Sequence, residues 1–303
     1  QETLPPGSVV AVRDAKDRFV ACAFWNSHAR IALRLLDETP EAMADGQWLV
    51  RRIAAAVGLR RQWLRLDQVS DAWRVVHSDG DSLPGLVVDR YADTLVIEYF
   101  TAGMWRLRDS VHAALLSQFP AAKLYWFAET RAQKQESFDC RSPDIPAPVE
   151  VHEHGLRFLA APGSGHKTGF FADQRDNRRR FAELARDRRV LDLCCNGGGF
   201  AVHAMAGGAR EAVGVDLDAG ILEVAAANAA TNGVAVRFEQ ADIFDWVRAA
   251  VARGERYDAE VLDPAKLTRD RNRVTDALKK YFAMNRIALD VIVPGCLLLT
   301  YSC

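Results

Sequence analysis

Asp192-Leu193-Cys194-Cys195-Asn196-Gly197-Gly198-Gly199-Phe200 is the stretch that decides the fold. It closes the apolar run Val190 to Leu193, passes through three glycines and enters Phe200 to Ala206, whose spacing reads as a helix. A strand that turns through glycines into a helix lets the backbone approach a ligand and aims unpaired helix N–H groups at it. The alternation continues to the end of the chain. Further strands are predicted at Glu211 to Val215, Ala235 to Glu239, Tyr257 to Leu262 and Cys296 to Tyr301. Helices are predicted at Ala219 to Thr231, Phe244 to Arg253 and Val274 to Val291. This pattern predicts an α/β fold, a parallel sheet with helices on both faces, and ligands outside the carboxyl ends of the strands.

The residues just past those strand ends are chemically suggestive. Asp216, followed by Leu217, ends the second strand, where a carboxylate can accept both ribose hydroxyls of a nucleoside. Asp242, followed by Ile243, ends the third, where it can accept a proton from an adenine amine. Each acid alone also reads as a helix N-cap. Together with Asp192, Asn196 and the Gly197-Gly198 turn they favour a nucleoside-bearing cofactor. A dinucleotide fingerprint needs a third small residue where Val202 stands, and no phosphate-loop sequence occurs. The signature resembles class I S-adenosyl-L-methionine-dependent methyltransferases, with a Rossmann-like domain.

At the fourth strand end stands Asp263-Pro264-Ala265-Lys266, and at the fifth Thr300-Tyr301-Ser302-Cys303. Amine methyltransferases of this architecture usually show Pro-Pro and a stacking aromatic after the Asp; Lys266 argues against that chemistry. A thiolate at Cys303 would face the same cleft as Asp263. Methylation at the 5-carbon of a pyrimidine needs such a nucleophile, because addition to the 6-carbon makes the 5-carbon electron-rich. The other cysteines are worse placed. Cys296 is expected at the far end of its strand, Cys22 and Cys140 lie outside this domain, and Cys194 and Cys195 sit in the cofactor loop.

Working outward, the 303 residues exceed one ordinary domain, and 49% hydrophobic with 26% charged residues exclude disorder. Pro143, Pro146 and Pro148 interrupt helix and ladder alike, so a boundary is drawn there. The expected organisation is a partial β module at residues 1–37, a central α+β domain at 38–148 with a β-α-β core, and the cofactor-binding domain at 149–303. In the first, Val9 to Val12 and Phe19 to Phe24 suggest a hairpin. No apolar run approaches the ~20 residues of a membrane span. Cysteines without any CxxC spacing suggest a reducing compartment, so a cytoplasmic protein is expected. The formal charge of −1 requires that any nucleic-acid contact be local. Gln1 in place of Met, and a chain ending on an apparent central strand, lead us to expect further residues at both ends.

Three segments carry a closer resemblance. Gly165-His166-Lys167-Thr168-Gly169-Phe170-Phe171-Ala172-Asp173-Gln174-Arg175-Asp176, Leu83-Pro84-Gly85-Leu86-Val87-Val88-Asp89-Arg90-Tyr91 and Leu299-Thr300-Tyr301-Ser302-Cys303 are similar, in order, to segments of bacterial 23S ribosomal RNA 5-methylcytosine methyltransferases with an N-terminal PUA domain. The resemblance covers nearly the whole chain. It implies a PUA-like module at residues 1–37, and cofactor contacts from Phe170, Asp173, Gln174, Asn196, Gly197, Gly198, Asp216, Leu217, Asp242, Ile243 and Asp263. It implies Asp263 on the cytosine edge and Cys303 as nucleophile. Lys167 and Arg175 are candidate RNA contacts, and Lys266 is expected either to lower the Cys303 thiol pKa or to contact the RNA backbone. The partner would be 23S RNA or a large-subunit assembly intermediate, with no membrane and with a homodimer admitted. Ala265 and Leu267 depart from the family's Asp-Pro-Pro-Lys-Phe, which leaves room for a uridine or small-molecule acceptor, or for an RNA-binding protein without turnover. The basic runs Arg175 to Arg189 and Arg51 to Arg65 read either as solvated helix faces or as phosphate tracks. His152-Glu153-His154 reads as a hairpin rather than a metal site.

Overall fold

The computed structural model describes residues 4–39, 47–163, 169–268 and 271–302. The chain divides into two compact units, one of Gln1–Glu153 with Ala160–Asp173, the other of His154–Leu159 with Gln174–Cys303.

In the first unit, β1 (Ser8–Arg13) and β2 (Phe19–Trp25) form the expected hairpin. A third antiparallel strand, β3 (Leu33–Asp37), joins them. Its Leu-Arg-Leu-Leu-Asp sequence lacks β-branched residues, which hid it from a propensity reading. Helix α1 (Trp48–Gly58) follows, burying Trp48, Leu49, Ile53 and Val57 on one face. Then come β4 (Ala72–His77), β5 (Leu86–Tyr91) and β6 (Thr94–Tyr99), helices α2 (Ala102–Arg106) and α3 (Arg108–Gln118), and β7 (Lys123–Phe127). The sheet order is β4-β5-β6-β7, antiparallel except for the last pair. The β-α-β expected here is thus only the final step of a four-stranded sheet. Helix α4 (Thr130–Glu136) is the last element before the prolines.

One core serves both sheets of this unit. Phe24 and Leu36 pack in the same cluster as Ile53, Trp73, Leu86, Ile97 and Met104. The joint is tight: a Cβ on Gly103 would stand 2.3 Å from the Phe24 ring. It is also polar. The buried Glu136 accepts from Asn26 Nδ2 at 3.0 Å and from Arg34 Nη2 at 2.9 Å. Strands β8 (Val149–Glu153) and β9 (Leu156–Ala160) lie where the chain passes between units. His154 and Gly155 both take positive φ between them, as a two-residue hairpin turn requires.

The second unit opens with α5 (Arg175–Leu184) and then alternates. Strand β10 (Arg189–Leu193) is followed by α6 (Gly199–Ala206), β11 (Glu211–Asp216) and α7 (Ala219–Thr231). Next are β12 (Arg237–Gln240), α8 (Ile243–Ala252), β13 (Tyr257–Leu262), α9 (Val274–Ala288) and β14 (Ile292–Thr300). The five strands are parallel in the order β12-β11-β10-β13-β14. Alternate residues feed two cores. Leu191, Leu193, Val213 and Val215 meet Trp246, Val247, Met284 and Ile287 on one face. Val190, Ala212, Ala259 and Val261 meet Phe181, Phe200, Ala201 and Ala204 on the other. The largest departures from the expected boundaries are in the last two elements. Strand β14 begins at Ile292, so Cys296 lies mid-strand rather than at its far end, and α9 stops at Ala288. Among the described residues, no helix is long and apolar enough to cross a membrane.

Candidate functional site

Parallel register sets the site. Leu193 pairs with Val215 on one side and Leu262 on the other, Asp216 faces Gln240, and Leu262 faces Thr300. Cys194, Asp216, Asp263 and Tyr301 therefore stand in a row at the carboxyl edge of the sheet. They flank β10, where the strand order reverses and open α/β sheets bind ligands. Asp263 N donates to Leu193 O at 3.3 Å and Tyr301 N to Leu262 O at 2.9 Å, which carries the ladder to the site itself.

The glycine loop is held from several sides. Cys194 and Asn196 take φ of 61° and 50°, and Gly198 takes 73°. A Cβ on Gly198 would lie 2.8 Å from the Phe238 ring, so packing as well as conformation calls for glycine there. Asn228 Nδ2 donates to Gly197 O at 2.9 Å while its Oδ1 accepts from Leu159 N at 2.8 Å. Sequence reading missed Asn228. Its signal was a lone amide after Ala225, Ala226 and Ala227, buried where an alanine would have sufficed for the helix.

Four carboxylates converge on this loop. Asp216 Oδ2 accepts from Asn196 N at 2.9 Å and its Oδ1 from Asp218 N at 3.1 Å, which fixes the carboxylate at the tip of β11. Leu217 beside it is 64% exposed, an apolar surface next to a polar anchor. Asp242 Oδ1 caps α8 by accepting from Phe244 N at 2.8 Å, so the capping reading of this residue is realised. Ile243 packs into the core beneath. Asp192 is buried. Its Oδ2 accepts from Ala201 N at 3.1 Å, its Oδ1 has no partner among the described residues, and burial pushes its pKa up to about 8. Burial first, then the charges of Asp216, Asp192, Asp263 and Asp242, push the Cys194 thiol up to about 12. The Cys195 thiol is raised too, chiefly by burial. Neither is a thiolate nucleophile at neutral pH.

The remaining predicted residues are distributed as follows. Gln174 Nε2 donates to Asp263 Oδ2 at 3.3 Å. Phe170 and Asp173 belong to the first unit, where Phe170 O accepts from Tyr91 Oη at 3.3 Å. Lys266 is exposed and has no ion-pair partner among the described residues. Lys167 and Cys303 lie outside the described residues. Arg175 is buried, with Nη2 3.5 Å from Asp176.

Most of the basic run is engaged internally. Arg179 and Arg180 pair with Glu183 at 3.3 and 2.8 Å, Arg189 with Glu211 at 2.8 Å, and Arg178 is buried. Arg52 pairs with Asp37 at 2.6 Å, Arg61 with Asp67 at 2.9 Å, and Arg60 grips Asp81 with both terminal nitrogens. His152 Nδ1 lies 3.0 Å from Asp71 and His154 Nε2 3.3 Å from Asp176.

Comparison with known proteins agrees with this geometry. A family described as S-adenosylmethionine-dependent methyltransferase matches residues 131–303, and a PUA-like domain matches residues 1–38. Ribosomal RNA large subunit methyltransferase I of Erwinia tasmaniensis is 32% identical over 306 residues, covering 98% of this chain and 77% of its own. The proteins of that name from Aeromonas hydrophila and Tolumonas auensis are 33% and 34% identical with the same coverage. Among solved structures, a methyltransferase complexed with SAH matches at a TM-score of 0.82 and 20% identity, over 99% of this chain and 79% of that one. A SAM-dependent methyltransferase from Streptococcus mutans matches at 0.78 and 19%, over 99% and 78%. At those identities the structures speak to the fold alone. With its glycine loop, its strand-end carboxylates and these relatives, the chain belongs to the S-adenosylmethionine-dependent methyltransferase family that includes the ribosomal RNA large subunit methyltransferases I.

Proposed function

We propose that this protein methylates the 5-carbon of a cytosine in 23S ribosomal RNA, using S-adenosyl-L-methionine and a transient bond to Cys303. The observation that carries the reading is the row Cys194, Asp216, Asp263, Tyr301 along one sheet edge, with Cys303 two residues beyond Tyr301 in the chain.

The residues present fit the cofactor. It is a sulfonium cation bearing hydroxyl and amine donors, and the loop is ringed by carboxylates, one of which keeps a buried oxygen without a partner. Asp216 would take the ribose hydroxyls, Asp242 the adenine amine, and Leu217 the ring edge, with Asn196, Gly197 and Gly198 shaping the floor. When bound, the cofactor supplies an electrophilic methyl group. The chain's own residues do the rest. The Cys303 thiolate adds to the 6-carbon of cytosine, and the electron pair released to the 5-carbon forms the new bond to the methyl carbon, whose bond to the sulfonium sulfur breaks with its pair left on that sulfur. A base then removes the proton on the 5-carbon, the carbon–sulfur bond breaks, and the ring is restored. Asp263 orients the cytosine edge, and Lys266, exposed beside it, is assigned to the RNA backbone together with Lys167, whereas Arg175, expected on RNA from the sequence, is buried and is not assigned there. We place the protein in the cytoplasm, where ribosomal RNA is modified; a homodimer, admitted by the sequence, is read by sedimentation.

The test uses tritiated S-adenosylmethionine and unmodified 23S RNA with wild type and Cys303→Ala. Label recovered as 5-methylcytosine with wild type alone is the expected result. Label persisting in the variant removes Cys303 from the mechanism. Cofactor binding without transfer by wild type points instead to an RNA-binding role.

A further inference from the structure

We infer that Asn177 is a positioning residue that orients the Gln174 amide so that Gln174 donates to Asp263 and holds that carboxylate ionised against the base. The inference rests on the cytosine reading above. Asn177 Nδ2 donates to Gln174 Oε1 at 2.7 Å, and Gln174 Nε2 donates to Asp263 Oδ2 at 3.3 Å. An amide has its acceptor at one end and its donors at the other. Once Asn177 satisfies the oxygen, the nitrogen must face Asp263; the reverse orientation would set two oxygens against each other.

The local fold sets the two amides side by side. Gln174 immediately precedes α5 and Asn177 lies in its first turn, three residues on, the spacing that brings side chains together on one helix face. Phe181 and Ala182 anchor the same helix in the core. The relay also has a chemical consequence. Donation to a carboxylate oxygen favours its charged form, here against the buried Asp192, with the Cys194 thiol and the Tyr301 hydroxyl as the other titratable groups that interact with Asp263. A charged Asp263 accepts an N–H from the exocyclic amine of cytosine, whereas uracil presents a carbonyl oxygen at that position. Asn177 thus acts on base choice through two hydrogen bonds without touching the base.

The test is the pH profile of kcat/KM for methyl transfer in Asn177→Ala, Asn177→Asp and Asn177→Ser. Asn177→Asp must accept from Gln174 Nε2, which turns the Gln174 oxygen toward Asp263. Its acid limb should move up by about one unit, a roughly tenfold loss on the acid side that recovers at higher pH. Asn177→Ala should move the limb the same way by less, which separates orientation from added charge, and Asn177→Ser, which keeps a donor, should restore it. Cofactor affinity by calorimetry and the melting temperature should stay at wild-type values. An Asn177→Ala limb that coincides with wild type overturns the relay while leaving the cytosine reaction intact. If wild type itself yields no 5-methylcytosine, the underlying reading is what fails.

Discussion

Asp216 and Asp263 share a sheet edge but differ in partners, and so their substitutions should separate. Asp216 accepts two backbone N–H groups and faces the loop, so Asp216→Ala should raise the cofactor Kd about 10-fold or more, on the order of 1.5–3 kcal/mol for hydrogen bonds to a charged group. Asp263→Asn should lower single-turnover methyl transfer at saturating cofactor by about 100-fold, a typical effect of removing one positioned polar group. A third residue tests stability. Glu260 sits in β13 fully buried, with neither carboxylate oxygen partnered among the described residues, and burial pushes its pKa up to about 9. The folded chain therefore holds a proton that the unfolded chain releases above its ordinary value of 4.5. Stability is at its fullest below that value and falls as pH rises toward 9. Melting temperatures of wild type should drop more between pH 5 and 9 than those of Glu260→Gln, which cannot ionise. Parallel curves would mean that Glu260 is not the group responsible.

At the scale of elements, the legible parts were those with strong periodicity. The parallel strands were readable because burial on both faces demands continuous apolar runs, as in Val190 to Leu193 and Tyr257 to Leu262. Strand β3 and the first residues of β14 were not, since Leu33 to Asp37 lacks β-branched residues and Pro294-Gly295 imitates a turn. The joint between the three-stranded and the four-stranded sheets of the first unit was equally hidden. It depends on Gly103 lying against Phe24 and on Glu136 reaching Asn26, residues 110 positions apart. Gly103→Ala should destabilise the protein by about 1–3 kcal/mol through overpacking. Glu136→Ala should cost about 3–5 kcal/mol by stranding Arg34. Denaturant titration measures both, and a loss within 0.5 kcal/mol for either would show that the joint relaxes freely.

For the whole molecule, charge is the property that separates alternatives. The net charge is −1, and the structure ties many arginines of the basic runs to acids of the same chain. RNA affinity should therefore depend on few phosphates. A plot of log Kobs against log salt between about 50 and 200 mM should give a slope well below that of the roughly six to ten neutralised phosphates of an extended track. A slope in that upper range would restore the arginine runs to the RNA interface.

The sequence by itself determined the class of fold, the glycine turn after the first strand of the parallel sheet and the acids at the strand ends. Those features are local: a glycine turn, a run of apolar residues and the next polar residue lie within a few positions of one another. Only the tertiary structure decided which acids stand side by side, because strand order and register are set by packing between distant segments. Leu193 meets Leu262 and Val215, and that pairing alone sets Asp263 and Asp216 on opposite sides of Cys194. The same holds for the helpers the sequence did not reveal. Asn228 under Gly197 and Asn177 behind Gln174 are ordinary surface amides in one dimension, and they acquire a role only when helices α7 and α5 fold back onto the loop and the acceptor carboxylate.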